Sequence, residues 1–417
     1  MLVQAHDIDS NAEETFAKVI HRGTNAMRHQ PTVFEQIVQP FPWSRFDQLA
    51  RKHGLDHYTD FSPRKHFLAL LGGILSGQQG LRTTVAALAP NRGALYSLGG
   101  KAPARSTLAD ANHDRPAAFF TDLLEELLPR LNRSFRRSLK AVLRLIDATH
   151  LNLGQRMQRW FGLHQGKVAA KLHVVFDPRA QKPVFFDITP ANVNDITAAK
   201  ELMPIECGAT YVFDLGYYDY AWWAALAAAG CTFVTRLKCN TPLREVEPRA
   251  VAPGGSVLSD QVGLLPERLS STRRNPFQDN GREIVVRIDT GKVLRLFTND
   301  LTSPAEEIAA LYKERWQIEL FFKWIKQNLK ISRFMGTSEN AIRTQIAVSF
   351  IAYLLVRLIQ PAEKPAPKLA VRAAHILLVV RTHLFVRRPV AALLDPSWKP
   401  PPSSLTPAAQ MRLELRN

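Results

Sequence analysis

From about Phe34 to Leu128 apolar residues recur at intervals of three and four, as at Phe67, Leu70, Leu71, Ile74 and Leu75, which predicts helices. Helix starts are expected at Ser62-Pro63 and Ser106-Thr107, because a hydroxyl caps free first-turn amides and proline suits the first helical position. From Leu139 the texture changes to β runs: AVLRLIDAT, KVAAKLHVVFD and KPVFFDIT, then a short helix from Asp195, the strand ATYVFDLG, an Ala-rich helix around Trp222 to Ala229, and the strand CTFVTRLK. Strands interleaved with helices in this way predict a mixed α/β sheet. Between Cys239 and Thr298 the runs EIVVRID and KVLRLFTN alternate among Gly and Pro, the pattern of an antiparallel insertion. Pro304 then opens a long helix, and the chain stays helical to about Phe385 before a tail dotted with prolines. The expected organisation is a helical domain over 1–130, an α/β domain over 139–335 with its insertion at about 239–298, C-terminal helices over 336–388 and a Pro-rich tail over 389–417.

The 54 Lys and Arg against 37 Asp and Glu leave a net charge of +17, which points to a polyanionic partner, nucleic acid by default. With 46% hydrophobic and 22% charged residues the chain has apolar surface for a large core, excluding a disordered, collagen-like or coiled-coil protein. Three cysteines, Cys207, Cys231 and Cys239, have no CxxC spacing, which argues against a disulfide framework or zinc site and suits a reducing cytoplasm. Asp7, Asp9, Glu13 and Glu14 stand where an export signal needs positive charge. The apolar stretch Ile346 to Val356 is broken by Arg357 before it is long enough to span a bilayer, so it reads as a buried helix with no membrane role. A cytoplasmic, nucleoid-associated bacterial protein is expected.

In the helical region His53, Arg64, Lys65, Arg82, Arg105 and Arg115 lie among loops containing Gly72-Gly73 and Gly99-Gly100. That composition suits a helix-turn-helix-like DNA reader, or equally a helical cap with a solvated basic face. A basic connector of Arg133, Arg136, Arg137, Lys140 and Arg144 follows.

Asp147 and Asp214 each end an apolar strand, at the sheet rim where α/β folds place ligands; singly, each also reads as a turn-forming aspartate. A third carboxylate sits in PAEEIAALYKERWQIELFFKWIKQNLK, where Tyr312, Arg315, Glu319 and Lys326 share a helix face of about 60°, bordered by Lys323 and Lys330. Phosphodiester chemistry needs hard oxygen ligands converging on Mg²⁺. The bland alternative is a solvated amphipathic helix with i,i+4 ion pairs.

The spacing of Tyr312, Arg315, Glu319 and Lys326 matches the Y-(2)-R-(3)-E-(6)-K signature of the DDE transposases of the insertion sequence 4 family. LRLIDATHL resembles that family's first-Asp strand and FDLGYYDY its second-Asp block, while HYTDFSPRKHFLALLGGILSGQQGLRTTV resembles the helical domain of one branch. The resemblance is good over 140–335 and weak beyond; Leu215 departs from it, standing where a basic residue is common. It implies an RNase H-like sheet that gathers Asp147, Asp214 and Glu319 around two Mg²⁺ ions, with Mn²⁺ able to stand in. Asp147 would bridge both ions, and Asp214 and Glu319 would each complete one shell. It further implies double-stranded DNA, the element's terminal inverted repeats and a target, as substrate, cut-and-paste transposition as activity, and a homodimer in a synaptic complex. Tyr312, Arg315 and Lys326 would hold phosphates.

Lesser candidates are Lys323, Lys330, Arg236 and Lys238 as DNA contacts, and Trp316 or Trp324 as a stacking platform, although such tryptophans are more often core. His150 and His173 could assist proton transfer but read first as structural. Asn192, Asn194 and Asp195 in TPANVND read first as a helix cap. The pairs Arg273-Arg274 and Arg387-Arg388 read as solvated charge. The competing functions are an RNase H-like DNA nuclease without strand transfer and a non-catalytic DNA-binding relic of a transposase.

Overall fold

The structure, a computed structural model, describes residues 30–132, 142–161, 163–164, 166–268, 274–329, 331, 333–359 and 369–394. The acidic N-terminal stretch, connector residues Arg133, Arg136, Arg137 and Lys140, Arg273, Lys330 and the chain beyond 394 lie outside the described residues.

Among the described residues seven α-helices precede the sheet: Val33–Val38, Trp43–Lys52, Pro63–Leu75, Leu81–Leu88, Arg92–Ser97, Arg105–Asp114 and Ala117–Asn132. The expected start at Ser62-Pro63 is real, with Pro63 in the first turn and the Ser62 hydroxyl accepting from the Lys65 amide at 3.4 Å. The other expected start is not at Ser106-Thr107: that helix begins at Arg105 behind Ala104, with no side-chain cap. Pro63–Leu75 is buried nearly all round, as befits a helix apolar on every side. Gly73 lets it approach its neighbour, since a Cβ there would stand 2.6 Å from the Thr84 methyl.

The strands are β1 (Leu143–Asn152), β2 (Leu163–His164), β3 (Lys167–Asp177), β4 (Lys182–Pro190), β5 (Thr210–Val212), β6 (Thr232–Arg236), β7 (Arg244–Pro248), β8 (Val257–Leu264), β9 (Gly281–Arg287) and β10 (Val293–Thr298). Spatial order runs β4-β3-β1-β5-β6, with β1/β3 and β3/β4 antiparallel and β1/β5 and β5/β6 parallel. This is an RNase H-like arrangement. The antiparallel insertion is present, but it extends the same sheet: β10 pairs antiparallel with β6, and β9, β8 and β7 follow in order. Arg144, expected in the connector, instead lies in β1 and is paired with Asp177 and Glu206.

β3 is buried at nine consecutive positions because elements cover both of its faces. One face joins a core continuous with the N-terminal helices and the C-terminal segment; the other carries an aromatic cluster that includes Phe213, Trp223, Phe233 and Phe297. Helix Glu339–Leu358 runs through the first core, packed on helices 63–75, 105–114 and 117–132 and on β4. It is long and apolar enough to cross a bilayer by length and composition, yet 83% of its apolar window is buried inside the fold. The reading of 346–356 as a buried helix holds. Helices Leu369–His383 and Val390–Leu394 complete the described chain. Residues 390–394, expected to be tail, are folded against helix Val33–Val38: Gln36 donates to the Arg388 carbonyl at 2.7 Å and accepts from the Val390 amide at 2.9 Å.

Candidate active site

β1 alternates in the ordinary way, so Leu143, Leu145 and Leu151 face the helical core while Ile146 faces the aromatic cluster. Asp147 and Thr149 therefore point toward the helical side, where the helix expected after Pro304 lies. That helix is two: Ala305–Glu314 and Trp316–Asn328, meeting at Arg315. The long helix predicted from the pattern is thus interrupted by one tightened turn at Arg315, whose backbone stays in the right-handed helical region. Arg315 donates to Glu319 at 2.5 Å and stands 3.6 Å from Asp147. Lys326, about two turns beyond Glu319, donates to the Thr149 hydroxyl at 2.6 Å.

Asp214 lies just past β5 and opens the turn Leu215–Tyr217, its carboxylate accepting from the Gly216 amide at 2.8 Å. Gly216 is tightly enclosed, since a Cβ would stand 3.0 Å from both the Asp214 and the Asp195 carboxylates. Asp195 enters at the start of helix Asp195–Leu202 and is held by Lys171 at 2.9 Å. Asn194 occupies the N-cap position, but its side chain makes no capping bond. His173, fully buried on β3, bonds Thr189 at 2.8 Å and lies 4.0 Å from Asp195; His150 is exposed.

The electrostatics follow from this geometry. Burial pushes the Asp147 carboxyl up to about 7; the Ala148 amide and Arg315 oppose this, while the charges of Asp214 and Glu319 add to it. Arg315 is pulled down by burial, but Tyr312, Glu319 and Asp147 more than offset that and leave it above its ordinary value. Lys326 is lowered by burial, with Asp147 opposing. Burial also takes His173 down to about 4, so it is neutral near pH 7. Tyr312 is raised mainly by burial and has the Arg315 guanidinium 5.8 Å from its ring centre.

Thus Asp147, Glu319, Arg315, Tyr312 and Lys326 are drawn together across β1 and the interrupted helix, and Asp214 acts electrostatically on Asp147 from the next strand. The remaining candidates fare differently. Arg236 is half-buried and influences Tyr312. Lys323 is exposed on the helix, and Lys238 is exposed with its ammonium 4.3 Å from the Tyr218 ring centre. Trp324 is core, 6% exposed against Tyr353, whereas Trp316 is 58% exposed and is not. Lys171, Thr149 and Tyr217 escaped the sequence reading. Their one signal was polarity inside otherwise apolar strand and turn segments.

Among the described residues no three His, Cys, Asp or Glu side chains stand close enough to hold a metal ion together. The donor chemistry nevertheless suits a divalent cation: hard carboxylate oxygens converge, and a guanidinium already bridges two of them. Holding a metal at that point requires Arg315 to withdraw.

Sheet order and acid placement define an RNase H-like domain with a candidate carboxylate centre. The Transposase DDE domain family matches residues 138–355, and DUF4372, a domain of unknown function, matches residues 29–101. A Sinorhizobium fredii protein named as transposase y4zB is 41% identical over 308 residues, covering 72% of this chain and 82% of that protein. A Geobacillus stearothermophilus protein named as the transposase of insertion sequence element IS5377 is 28% identical over 301 residues, covering 70% and 75%. Among solved structures, a piggyBac transposase synaptic complex with hairpin DNA covers 93% of this chain and 87% of its own at 8% identity; its TM-score of 0.39 is too low to argue from. The chain belongs to the DDE transposase family, and the insertion sequence 4 resemblance agrees with its relatives. It is accordingly a transposase, of a domain type that works with divalent metal ions.

Proposed function

We propose that the protein cuts and joins double-stranded DNA at the ends of an insertion sequence, with Asp147, Asp214 and Glu319 holding Mg²⁺, which Mn²⁺ can replace. The observation that supports this best is the Arg315 bridge between Asp147 and Glu319, a positive charge held between acids brought from β1 and the helix. Held by Asp147, Asp214 and Glu319, two divalent ions would supply activation of the attacking oxygen and neutralisation of charge on the leaving one.

In the first step a water oxygen bonds to phosphorus at the element end, the bond to the 3′ oxygen breaks, and that oxygen leaves as a hydroxyl. In the second, the freed 3′-hydroxyl oxygen attacks another phosphodiester and displaces its 3′ oxygen. Arg315, released from the carboxylates, offers a planar fork to phosphate oxygens, and Lys326 supplies a point charge beside it. Tyr312 packs against Arg315 and sets its approach. Arg236, Lys238, Lys323 and Lys330 are the outer candidates for backbone contact. The working unit is a homodimer bridging two terminal inverted repeats.

A duplex carrying the mapped element ends, incubated with Mg²⁺ and wild-type or Glu319→Ala protein, tests the reading. Nicking and joining by wild type, lost in Glu319→Ala with end binding kept, is expected. Cleavage without joining would indicate a nuclease. Binding without metal-dependent cleavage by either protein would indicate a relic.

A further inference from the structure

Of the basic residues of the N-terminal helices, most are engaged within the fold. Arg115 is buried, lies against the Tyr58 and Phe61 rings and donates to the Phe61 and Ser62 carbonyls. Arg64 sits 4.0 Å over the Trp43 ring, Lys65 donates to the Thr59 and Asp60 carbonyls, and His53 is bonded to Asp122. Arg82 and Arg105 are different. Both are exposed, and both line a groove of about 870 Å³ whose lining also includes the exposed Arg333. None of the three has an ion-pair partner among the described residues. Among the described residues Asp110 is the one carboxylate lining the groove.

The groove lies where the N-terminal helices meet residues 333–341. Gln345, buried, donates to the Arg333 carbonyl at 2.9 Å and accepts from the Met335 amide at 2.6 Å, fixing the backbone that presents Arg333. The Thr84 hydroxyl meets the Met335 sulfur at 3.7 Å across the junction. Three exposed arginines and one aspartate line the same cleft, so its charge among the described residues favours an anion there. The planar donor forks of the arginines match phosphate oxygens. Arg333 follows within a few residues of the helix that bears Glu319 and Lys326, so the cleft continues the same stretch of chain.

We propose that this groove seats the phosphodiester backbone of duplex DNA away from the carboxylate centre, with Arg82, Arg105 and Arg333 each taking a phosphate. It assigns to the DUF4372 region a share in gripping DNA, and rests on the DNA reading above. The full chain carrying Arg82→Ala, Arg105→Ala and Arg333→Ala is compared with wild type and with a charge-matched control, Arg51→Ala, Arg92→Ala and Arg287→Ala. Binding to a labelled duplex of about forty base pairs is followed by anisotropy without metal across a salt series. The groove variant should bind at least about tenfold more weakly than the control, and its log–log salt slope should fall by about 2.7, about 0.9 for each lost phosphate contact. Melting curves check folding; should the triple variant fail to fold, each single groove variant should lower the slope by about 1. Groove and control variants with the same affinity and slope, while wild type binds, overturn the groove and leave the DNA reading standing. No salt-dependent DNA binding by wild type overturns both.

Discussion

Two arginine–carboxylate clusters, Arg282 with Asp260 in the insertion and Arg315 with Asp147 and Glu319 beside β1, use the same chemistry to opposite ends. Arg282 and Asp260 are 3% and 4% exposed and joined by two bonds of 2.8 and 2.7 Å, with carbonyls of Asp300 and Ser303 taking the rest of the guanidinium. That pair is closed. Arg315 has one short bond, one 3.6 Å approach and a buried Nε without a partner, while Asp147 is held far above the usual carboxylate range. A saturated pair fastens the insertion to the segment before Pro304, whereas an unsaturated one leaves charge available for a ligand.

The contrast can be broken at several points. Asp147→Asn should reduce DNA nicking at least about 10³-fold, with the melting temperature unchanged or higher, because a carboxylate costly to bury is removed; gel assays and calorimetry check both. Asp260→Asn should instead cost about 3–5 kcal/mol of stability by stranding Arg282, read from denaturant unfolding. Lys326→Met should lower nicking by about 10–100-fold with little change in stability, the loss of one charged contact. The last effect is confined to acid pH. Burial takes His66 down to about 3, so below the unfolded value of about 6.5 the unfolded chain binds the extra proton. Stability contributed by neutral His66 is present above about 6.5 and is lost as pH falls toward 3, and His66→Phe should flatten that part of the unfolding profile.

Much of this was legible in the chain. β3 coincides with KVAAKLHVVFD because a strand covered on both faces is written as one apolar run, and the Arg315–Glu319 contact follows from i,i+4 spacing. The interruption at Arg315 was not, since no Gly or Pro marks it and the apolar period runs through. Nor was the continuity of the sheet into the insertion: EIVVRID and KVLRLFTN announce an antiparallel pair but not that β10 adds to β6. The N-terminal helices looked separable, yet their core is continuous with the face of β1 through helix Glu339–Leu358, a matter of tertiary contact that local periodicity does not encode. Arg282 and Asp260 passed unnoticed because buried charge in a strand looks like a solvent-facing residue of an alternating pattern.

The account turns on Arg315 holding the place of a cation between Asp147 and Glu319. Mn²⁺ binding to the full chain, measured by electron paramagnetic resonance for wild type, Arg315→Met and Glu319→Gln, tests that directly. Affinity at or above wild type in Arg315→Met, with a loss of at least about tenfold in Glu319→Gln, is the predicted result. Equal Mn²⁺ affinity in wild type and Glu319→Gln, with both folded, would contradict it.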